Sequence, residues 1–264
     1  MPKEDLIFKY KKYLEKAFLD EKLIKIGECS NSDNSWYNVK ALQFMSGMAQ
    51  FGIDEKNVDI LKFTKELFFF AISKQHDDGY YFSEKYSGDH QKMRTNVIFI
   101  NIELFNTFEL LEDTLTEEEK EVFFASVNKS TKYIKSYLRP TSELNQNIAG
   151  LLYFLFCKKY NLHGMEEVDF QKRLIQNLQT ESGYWGEKKE ALGFDALYGT
   201  LSLAYLARAC DLDESLKENL IKGVSFVSHF IKDGEVDLSF SKRWIPKTPQ
   251  GHRFFVYGLT KGGV

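Results

Sequence analysis

The segment Gln75-His-Asp-Asp-Gly-Tyr80 returns further along the chain as Gln179-Thr-Glu-Ser-Gly-Tyr184. Each copy is followed by a loop and then by a helical pattern that opens with Thr95-Asn-Val-Ile or Thr200-Leu-Ser-Leu. Asp233-Gly234 is a weaker third copy. Self-similarity of this kind indicates a fold built from repeated supersecondary units.

Helical patterns surround these segments and form two sets. One set is amphipathic, with apolar residues on one face, and it spans residues 61–72, 122–138, 174–178 and 216–230. The other set is apolar on all sides, as in helices buried by their neighbours, and it spans residues 39–51, 97–111, 148–160 and 197–210. The apolar helices begin at intervals of about 52 to 58 residues, the length of a helical hairpin with its loops. These starts lie near Trp36, Arg94, Gln146 and Tyr198.

Local signals mark several boundaries. Thr116 with Glu119 fits a capping box at the start of a helix. Asp54 and Asp213 each fit a helix start with an acidic first turn. The best strand candidate is the short stretch 236–240, so very little β structure is expected.

The alternation of the two helix sets predicts an all-α protein, an α/α toroid that forms an incomplete barrel of about five helical hairpins, in a single domain over residues 1–264. All inner helices then run in the same direction and begin at one rim. Three long loops, at residues 77–92, 181–194 and 232–251, hang over that rim. Loops of this length in compact domains are more often functional than not.

Composition excludes several function classes. The 264 residues are 43% apolar and 28% charged, as in a folded globular protein rather than a disordered chain. The net charge of −3 gives no basic surface for nucleic acid or anionic lipid, so neither partner is predicted. We find no secretory signal and no stretch of about 18 apolar residues, so we expect a cytoplasmic protein. The three cysteines are far apart and predict no disulfide framework, and no cofactor is expected.

The predicted rim collects side chains suited to a ligand site. Aromatic rings there could stack on the apolar faces of sugars. These aromatic candidates are Trp36, Tyr37, Tyr80, Tyr81, Tyr184, Trp185 and Trp244. Cationic and imidazole groups could bind a carboxylate or move a proton. These candidates are His90, Arg94, His252 and Arg253.

Two asparagines and a tyrosine open the inner helices that follow. Of Asn145 and Asn147, one would act as an N-cap and the other would need a polar partner, such as a substrate carboxylate or hydroxyl. Tyr198 could act as a general base or acid if nearby cationic groups lower its pKa.

Other site chemistries leave weaker signals. An inverting glycosidase needs two carboxyl groups facing each other across a cleft, which acids in the predicted rim loops could supply. Those acids are Asp77, Asp78, Asp89, Glu187 and Asp195. Together with His76 and His90, some of them would suit a metal by residue type, but their spacing matches no recognised site, so no metal is predicted. Phosphate-binding, dinucleotide-binding and serine-hydrolase motifs are absent.

Residues 143–258 resemble the α/α toroid domain of heparinase II/III-like polysaccharide lyases. The resemblance is carried by NQNIAGLLYFL at residues 145–155, by the QTESGYWGE loop, by the Asp-x-x-Tyr start at Tyr198, by the Leu-Ala-Arg helix, and by His229-Phe-x-x-Asp-Gly. It continues into SKRW and GHRFFVYG, which contain Trp244 and His252. Loops of the form Gln-x-x-x-Gly-Tyr/Trp also occur in terpene-cyclase and prenyltransferase toroids, whose Asp-x-Asp-Asp acid motif is absent here.

The resemblance implies β-elimination on an anionic, uronate-containing saccharide. By position, Asn147 or Asn145 would neutralise the uronate carboxylate, and Tyr198 would be the acid or base. His252 and Arg253 lie where further rim groups could act, and Arg94, which lies outside the resembling stretch, is a candidate catalytic residue from its position at the predicted rim. This assignment of roles is chemically consistent, because the C5 proton is weakly acidic until the charge of the neighbouring carboxylate is offset.

Members of that family continue into a β-sandwich that supplies a catalytic histidine, whereas the present residues end at Val264. A partner chain or a second copy is therefore expected to complete the cleft. Two other interpretations stay open: a non-catalytic toroid that binds a glycan or a protein, and a terpene-cyclase-like or glycosidase toroid.

Overall fold

The computed structural model describes residues 45–81, 88–138, 144–185, 196–232 and 235–236. The described part of the chain is all-α, as predicted, with one minute pair of strands. Residues 45–138 belong to one compact unit, here called the first unit, and residues 144–236 belong to another, the second unit. The single domain over residues 1–264 and the incomplete toroid stay predictions.

The described residues of the first unit contain four α-helices. They are α1 (Met45–Asp54), α2 (Val58–Ser73), α3 (His90–Leu111) and α4 (Glu117–Ser136), with a 3₁₀ turn at Glu112–Thr114. Helix α1 packs against both α2 and α3, and α3 packs against α4. Short connections join α1 to α2 and α3 to α4, so each of these pairs is an antiparallel hairpin.

The second unit repeats this plan. Its helices are α5 (Leu144–Lys159), α6 (Val168–Leu178), α7 (Ala196–Leu212) and α8 (Lys217–Ser228), with 3₁₀ turns at Met165–Glu167 and Glu214–Leu216. Helix α5 packs against α6 and against α7, and α7 packs against α8. A strand pair, Ile231–Lys232 with Glu235–Val236, follows α8 and is antiparallel. The predicted strand thus begins within this pair at Val236, and residues 237–240 lie outside the described residues.

Ion pairs and side-chain hydrogen bonds between the amphipathic helices show in which direction the hairpins run. In the first unit Lys65 on α2 pairs with Glu119 at the start of α4 at 2.8 Å, and Gln75 beyond the end of α2 bonds to Ser126 further along α4. Helices α2 and α4 therefore run in the same direction. Because α1 and α3 are their antiparallel hairpin partners, α1 and α3 are parallel to each other.

The second unit gives the same result. Lys172 on α6 pairs with Asp213 just before α8 at 2.9 Å, and Gln179 bonds to Asn219 within α8. Helices α6 and α8 are parallel, and so are α5 and α7. In its described residues, each unit therefore has two side-by-side hairpins. Within each unit, the apolar helices begin at the same end of that unit.

Burial separates the two helix sets as the sequence predicts. Helix α3 buries 14 of its 22 residues and α5 buries 13 of 16, whereas α4 buries 7 of 20 and α6 buries 3 of 11. The core of the first unit contains Phe68, Phe105, Phe108 and Phe123, whose rings contact one another. Aromatic packing of this kind accounts for much of the energy of a helical core.

Side chains cap the starts of α2, α3 and α4, with one departure from the prediction. Thr116 and Glu119 form the predicted capping box, in which each side chain accepts a backbone N–H of the other. Asp213 caps the 3₁₀ turn before α8, as predicted. The prediction for Asp54 is wrong: it is the last residue of α1, and Asn57 is the N-cap of α2, because its amide oxygen reaches two free N–H groups.

Replacing Thr116 with alanine should lower the free energy of unfolding by about 1 kcal/mol, because the first turn of α4 then loses an acceptor for a free backbone N–H. Urea denaturation followed by circular dichroism measures the change. Ser136→Ala is the control, since the Ser136 hydroxyl is exposed and bonds only to Lys132 O within its own helix. Equal stability of Thr116→Ala and Ser136→Ala would contradict the predicted role of the cap.

Among the described residues, no helix is both long enough and apolar enough to cross a membrane.

Candidate functional site

The repeated Gln-x-x-x-Gly segments each fasten the end of one helix to the next amphipathic helix. In the first unit Gln75 Nε2 donates to Ser126 O at 2.9 Å and to Ser130 Oγ at 2.8 Å, both on α4. His76 N–H donates to Tyr80 O at 2.8 Å, and Gln75 pairs with Tyr81 in an isolated antiparallel bridge. The segment 75–81 is thereby held as a tight loop against α4.

The second unit has the same loop at residues 179–185. Gln179 Nε2 donates to Asn219 O at 2.9 Å, and Asn219 Nδ2 donates back to Gln179 Oε1 at 2.7 Å. Thr180 N–H donates to Tyr184 O at 2.8 Å, and Gln179 pairs with Trp185 in the matching bridge. The sequence repeat is therefore a structural repeat.

The glycine in each loop has no substitute. Gly79 and Gly183 have φ of +92° and +86°, in the left-handed region. A Cβ on either one would overlap the backbone carbonyl of α4 at Lys129 or of α8 at Lys222. The loop can lie this close to its helix only because it carries a glycine there.

Five aromatic side chains gather beside the first loop, and we call them the aromatic cluster: His76, Tyr80, His90, Tyr133 and Tyr137. The His76 ring stacks on Tyr80 with centroids 4.5 Å apart, and Tyr80 contacts Tyr133 at 5.3 Å. The His90 ring lies flat on Tyr137, at 4.4 Å and an interplanar angle of 2°. The loop, the start of α3 and the end of α4 each supply part of the cluster.

The hydroxyl of Tyr133 links the two halves of the cluster. It lies 3.0 Å from His90 Nδ1, and the Tyr133 side chain is buried. Burial, followed by the nearby Tyr137, Tyr80 and Asp78, raises the pKa of Tyr133 to about 12. The hydroxyl therefore keeps its proton at neutral pH and is unsuited to the role of a general base.

Arg94 lies at the end of α4 rather than over an open rim. Its Nη1 donates to Tyr137 O at 3.4 Å, and Gln91 Nε2 donates to the same oxygen at 3.2 Å. A cation at a helix C-terminus is favourable, because the last carbonyls lack partners within the helix. Burial lowers the pKa of Arg94. This position differs from the predicted contact with a substrate carboxylate, and the catalytic role of Arg94 stays a prediction.

His90 is also engaged with α4, but its ring is exposed at the surface. It begins α3, directly after Asp89, whose side chain caps the helix through Lys92 N–H. The predicted rim position of His90 therefore has a specific surrounding, the aromatic cluster. Its role in substrate binding stays a prediction.

Two aromatic residues that were expected to stack on sugars are buried. Tyr81 is fully buried, its hydroxyl lies 3.5 Å from Ser126 Oγ, and burial raises its pKa to about 12. Trp185 is 7% exposed, and its indole N–H donates to Ile175 O at 3.3 Å. The indole fills the space above Gly223, so Trp185 differs from the predicted open stacking surface. Tyr184 is half-buried and contacts Phe226 at 5.3 Å.

The predicted catalytic residues of the second unit lie near the starts of two parallel helices. Asn145 and Asn147 are in the first turn of α5, and both side chains are buried. Tyr198 is in the first turn of α7. Since α5 and α7 pack side by side in the same direction, these three positions lie at one end of the second unit. Nothing further is described for the Tyr198 side chain.

The remaining predicted site residues lie outside the described residues. They are Trp36, Tyr37, Trp244, His252 and Arg253, together with the candidate acids Glu187 and Asp195.

The described acids of the first rim loop each lie near a cationic or imidazole group. Asp77 and Asp78 are exposed and lie near Lys129 and His76, respectively. The hydrogen bond from the Lys92 side chain lowers the pKa of Asp89, which disfavours it as a general acid. No group of three or more His, Cys, Asp or Glu side chains in the described ranges could hold a metal ion.

Comparison with protein-family models, with curated proteins and with solved structures finds no match to this chain.

Sequence reasoning missed Tyr133, Tyr137 and the bonding role of the two glutamines. The signal for the tyrosines is their spacing of four on α4, which places both rings on one helix face. The signal for the glutamines is their place at the start of each repeated segment, one residue beyond the C-cap of α2 and at the C-cap of α6.

Proposed function

We propose that this protein is a carbohydrate-active α/α toroid that cleaves a uronate-containing saccharide by β-elimination. The observation that supports this most is the common end of α5 and α7, where Asn145, Asn147 and Tyr198 lie in first turns of adjacent parallel helices. These are the residues to which the resemblance gives the catalytic roles. Parallel apolar helices in both units also support the toroid itself.

The chemistry needs two groups at one point. An amide from Asn147 or Asn145 donates to the uronate carboxylate and offsets the charge that opposes loss of the C5 proton. The Tyr198 oxygen, as the phenolate, takes the C5 proton; the C4–O bond then breaks, and Tyr198 returns the proton to the departing glycosidic oxygen, which leaves an unsaturated uronate and a new chain end. Stabilising the charge that develops on the carboxylate is the main catalytic demand.

Burial of the asparagines agrees with this role. Asn145 and Asn147 are 5% and 4% exposed, on a helix whose other buried residues are almost all apolar. Apolar surroundings strengthen the hydrogen bond that such an amide would donate to a carboxylate.

The test is the ultraviolet absorbance of the unsaturated product during incubation with polysaccharides of different uronate type. Tyr198→Phe should lower the rate by about 100- to 10,000-fold, because it removes the acid/base group. Asn147→Ala should lower it to a similar extent if Asn147 is the neutralising amide, and Asn145→Ala distinguishes the two asparagines.

Tyr160→Phe is the matched control, because Tyr160 follows the opposite end of α5. It should keep the wild-type rate. Activity that survives both Tyr198→Phe and the double asparagine change would contradict the site assignment. Wild-type protein that forms no unsaturated product from any uronate polysaccharide would contradict the proposed reaction.

A further inference from the structure

The two repeated units give an internal comparison for the aromatic cluster. Lys129 and Lys222 approach the loop glycines in the same way, so α4 and α8 align at this point. On this alignment Tyr133 corresponds to Phe226, and Tyr137 corresponds to Phe230. The ring contacts agree: Tyr80 and Tyr133 are 5.3 Å apart, and Tyr184 and Phe226 are also 5.3 Å apart.

In the second unit, phenylalanine residues at the corresponding positions make the same ring contacts. Phe226 and Phe230 contact each other at 5.2 Å, as Tyr133 and Tyr137 do at 5.0 Å. Thr180 stands where the first unit has His76. The hydroxyls and the His76 imidazole of the first unit are therefore additions that this packing does not require.

The two imidazoles of the cluster lie at the surface, whereas Tyr133 is buried. The His76 side chain is 49% exposed and covers one face of Tyr80, and exposed His90 covers one face of Tyr137. Two flat imidazoles thus lie on either side of the buried Tyr133. Rings arranged in this way offer apolar faces with polar edges.

Both histidines are oriented by the protein through the same atom. Asp78 N–H approaches His76 Nδ1 at 3.2 Å, and the Tyr133 hydroxyl lies 3.0 Å from His90 Nδ1. With Nδ1 occupied, Nε2 is the ring atom that can bond to a ligand hydroxyl. The positions of the rings are fixed before any ligand arrives, which lowers the entropic cost of binding.

The charges around the cluster largely cancel. Asp77 lies 3.5 Å from Lys129, and Asp89 lies 2.9 Å from Lys92. Asp78 adjoins His76 and is exposed. The cluster therefore suits a neutral, hydroxyl-rich ring with apolar faces better than it suits an anion.

We propose that the aromatic cluster is a stacking subsite that binds a pyranose ring of a saccharide, with His76 and His90 contacting the ring. The class of ligand rests on the proposed function, whereas the position rests on the comparison of the two units. The subsite belongs to the first unit, and the proposed elimination belongs to residues of the second.

The test observes the histidine rings directly by NMR of full-length protein titrated with two tetrasaccharides. One probe is maltotetraose, which is neutral, and the other alternates uronate and N-acetylhexosamine. Both should shift the His76 and His90 resonances in a saturable manner, because stacking does not need a carboxylate. The resonances of His163 and His229, in the second unit, serve as internal controls. The proposal is overturned if neither probe shifts His76 and His90, or if all four histidines shift alike.

Single substitutions measure how much each ring contributes to saccharide binding. His76→Ala and His90→Ala should each weaken binding about 3- to 10-fold, the effect of losing one stacked ring. Tyr133→Phe reproduces the residue of the second unit, keeps the packing and should weaken binding through His90 alone. His163→Ala should bind as wild type does. Unchanged affinity in both His76→Ala and His90→Ala would also overturn the proposal.

The two proposals fail in different ways. Saccharide-induced shifts of His76 and His90 without any unsaturated product would leave the subsite standing and contradict β-elimination. Product formation without these shifts would contradict the subsite alone.

Discussion

Gly183→Ala should lower the free energy of unfolding by about 3 kcal/mol or more, and Gly79→Ala should do the same. Each glycine has a left-handed backbone, which costs an L-residue about 1–2 kcal/mol. The added methyl group would also overlap a backbone carbonyl, at Lys222 or Lys129, which cannot rotate away. Overpacking of this kind typically costs about 1–3 kcal/mol. Urea denaturation of each variant measures the sum.

Gly88→Ala separates the two contributions. Gly88 has φ of +81°, but a Cβ there would meet nothing within 4 Å. It should therefore lose only the backbone part, about 1–2 kcal/mol. A loss for Gly79→Ala no larger than that for Gly88→Ala would show that the loops do not press against α4 and α8 as described.

Gly223→Ser should cost about 2–3 kcal/mol by itself and much less when combined with Trp185→Tyr. A Cβ on Gly223 would lie 2.6 Å from Trp185 Cζ3 and 2.7 Å from Leu203 Cδ2, so the indole must move. In the first unit, the corresponding contact is between a smaller ring, Tyr81, and a larger helix residue, Ser130. The double variant copies that solution into the second unit.

A double-mutant cycle in urea quantifies the coupling. We expect Trp185→Tyr alone to destabilise by about 1–2 kcal/mol through lost packing, and the coupling energy to exceed about 1 kcal/mol. Ser225→Ala, at an exposed position on the same helix, provides the control that should not couple with Trp185→Tyr. Additive effects of Gly223→Ser and Trp185→Tyr would contradict the exchange of volume between the two residues.

These two predictions concern the contact between each repeated loop and the next amphipathic helix. Gln75 and Gln179 bond to backbone carbonyls of the next amphipathic helix, and the glycines allow the loop to approach it. Each hairpin is thus fastened to its neighbour within the unit. Part-buried hydrogen bonds of this type are costly to leave unmade, so the loops fix the spacing of the helices as well as their order.

The candidate site was predictable in part. That Asn145, Asn147 and Tyr198 lie near starts of apolar helices follows from periodicity, and the structure places these starts at one end of the second unit. Periodicity did not reveal that Arg94 would reach the last turn of α4 or that Trp185 would be buried. It also gave no indication that His90 would stack on Tyr137.

The sequence by itself determined the all-α class, the alternation of apolar and amphipathic helices, the repeated segments and the capping box at Thr116. These depend on local spacing, because a helix shows its buried face and its caps within a few turns. Only the tertiary structure decided which residues the repeated loops and the aromatic rings contact. Gln75 and Ser126 are 51 residues apart, and His90 and Tyr133 are 43 apart. Such pairs depend on the register between neighbouring helices, which is set by packing of whole faces rather than by any local pattern.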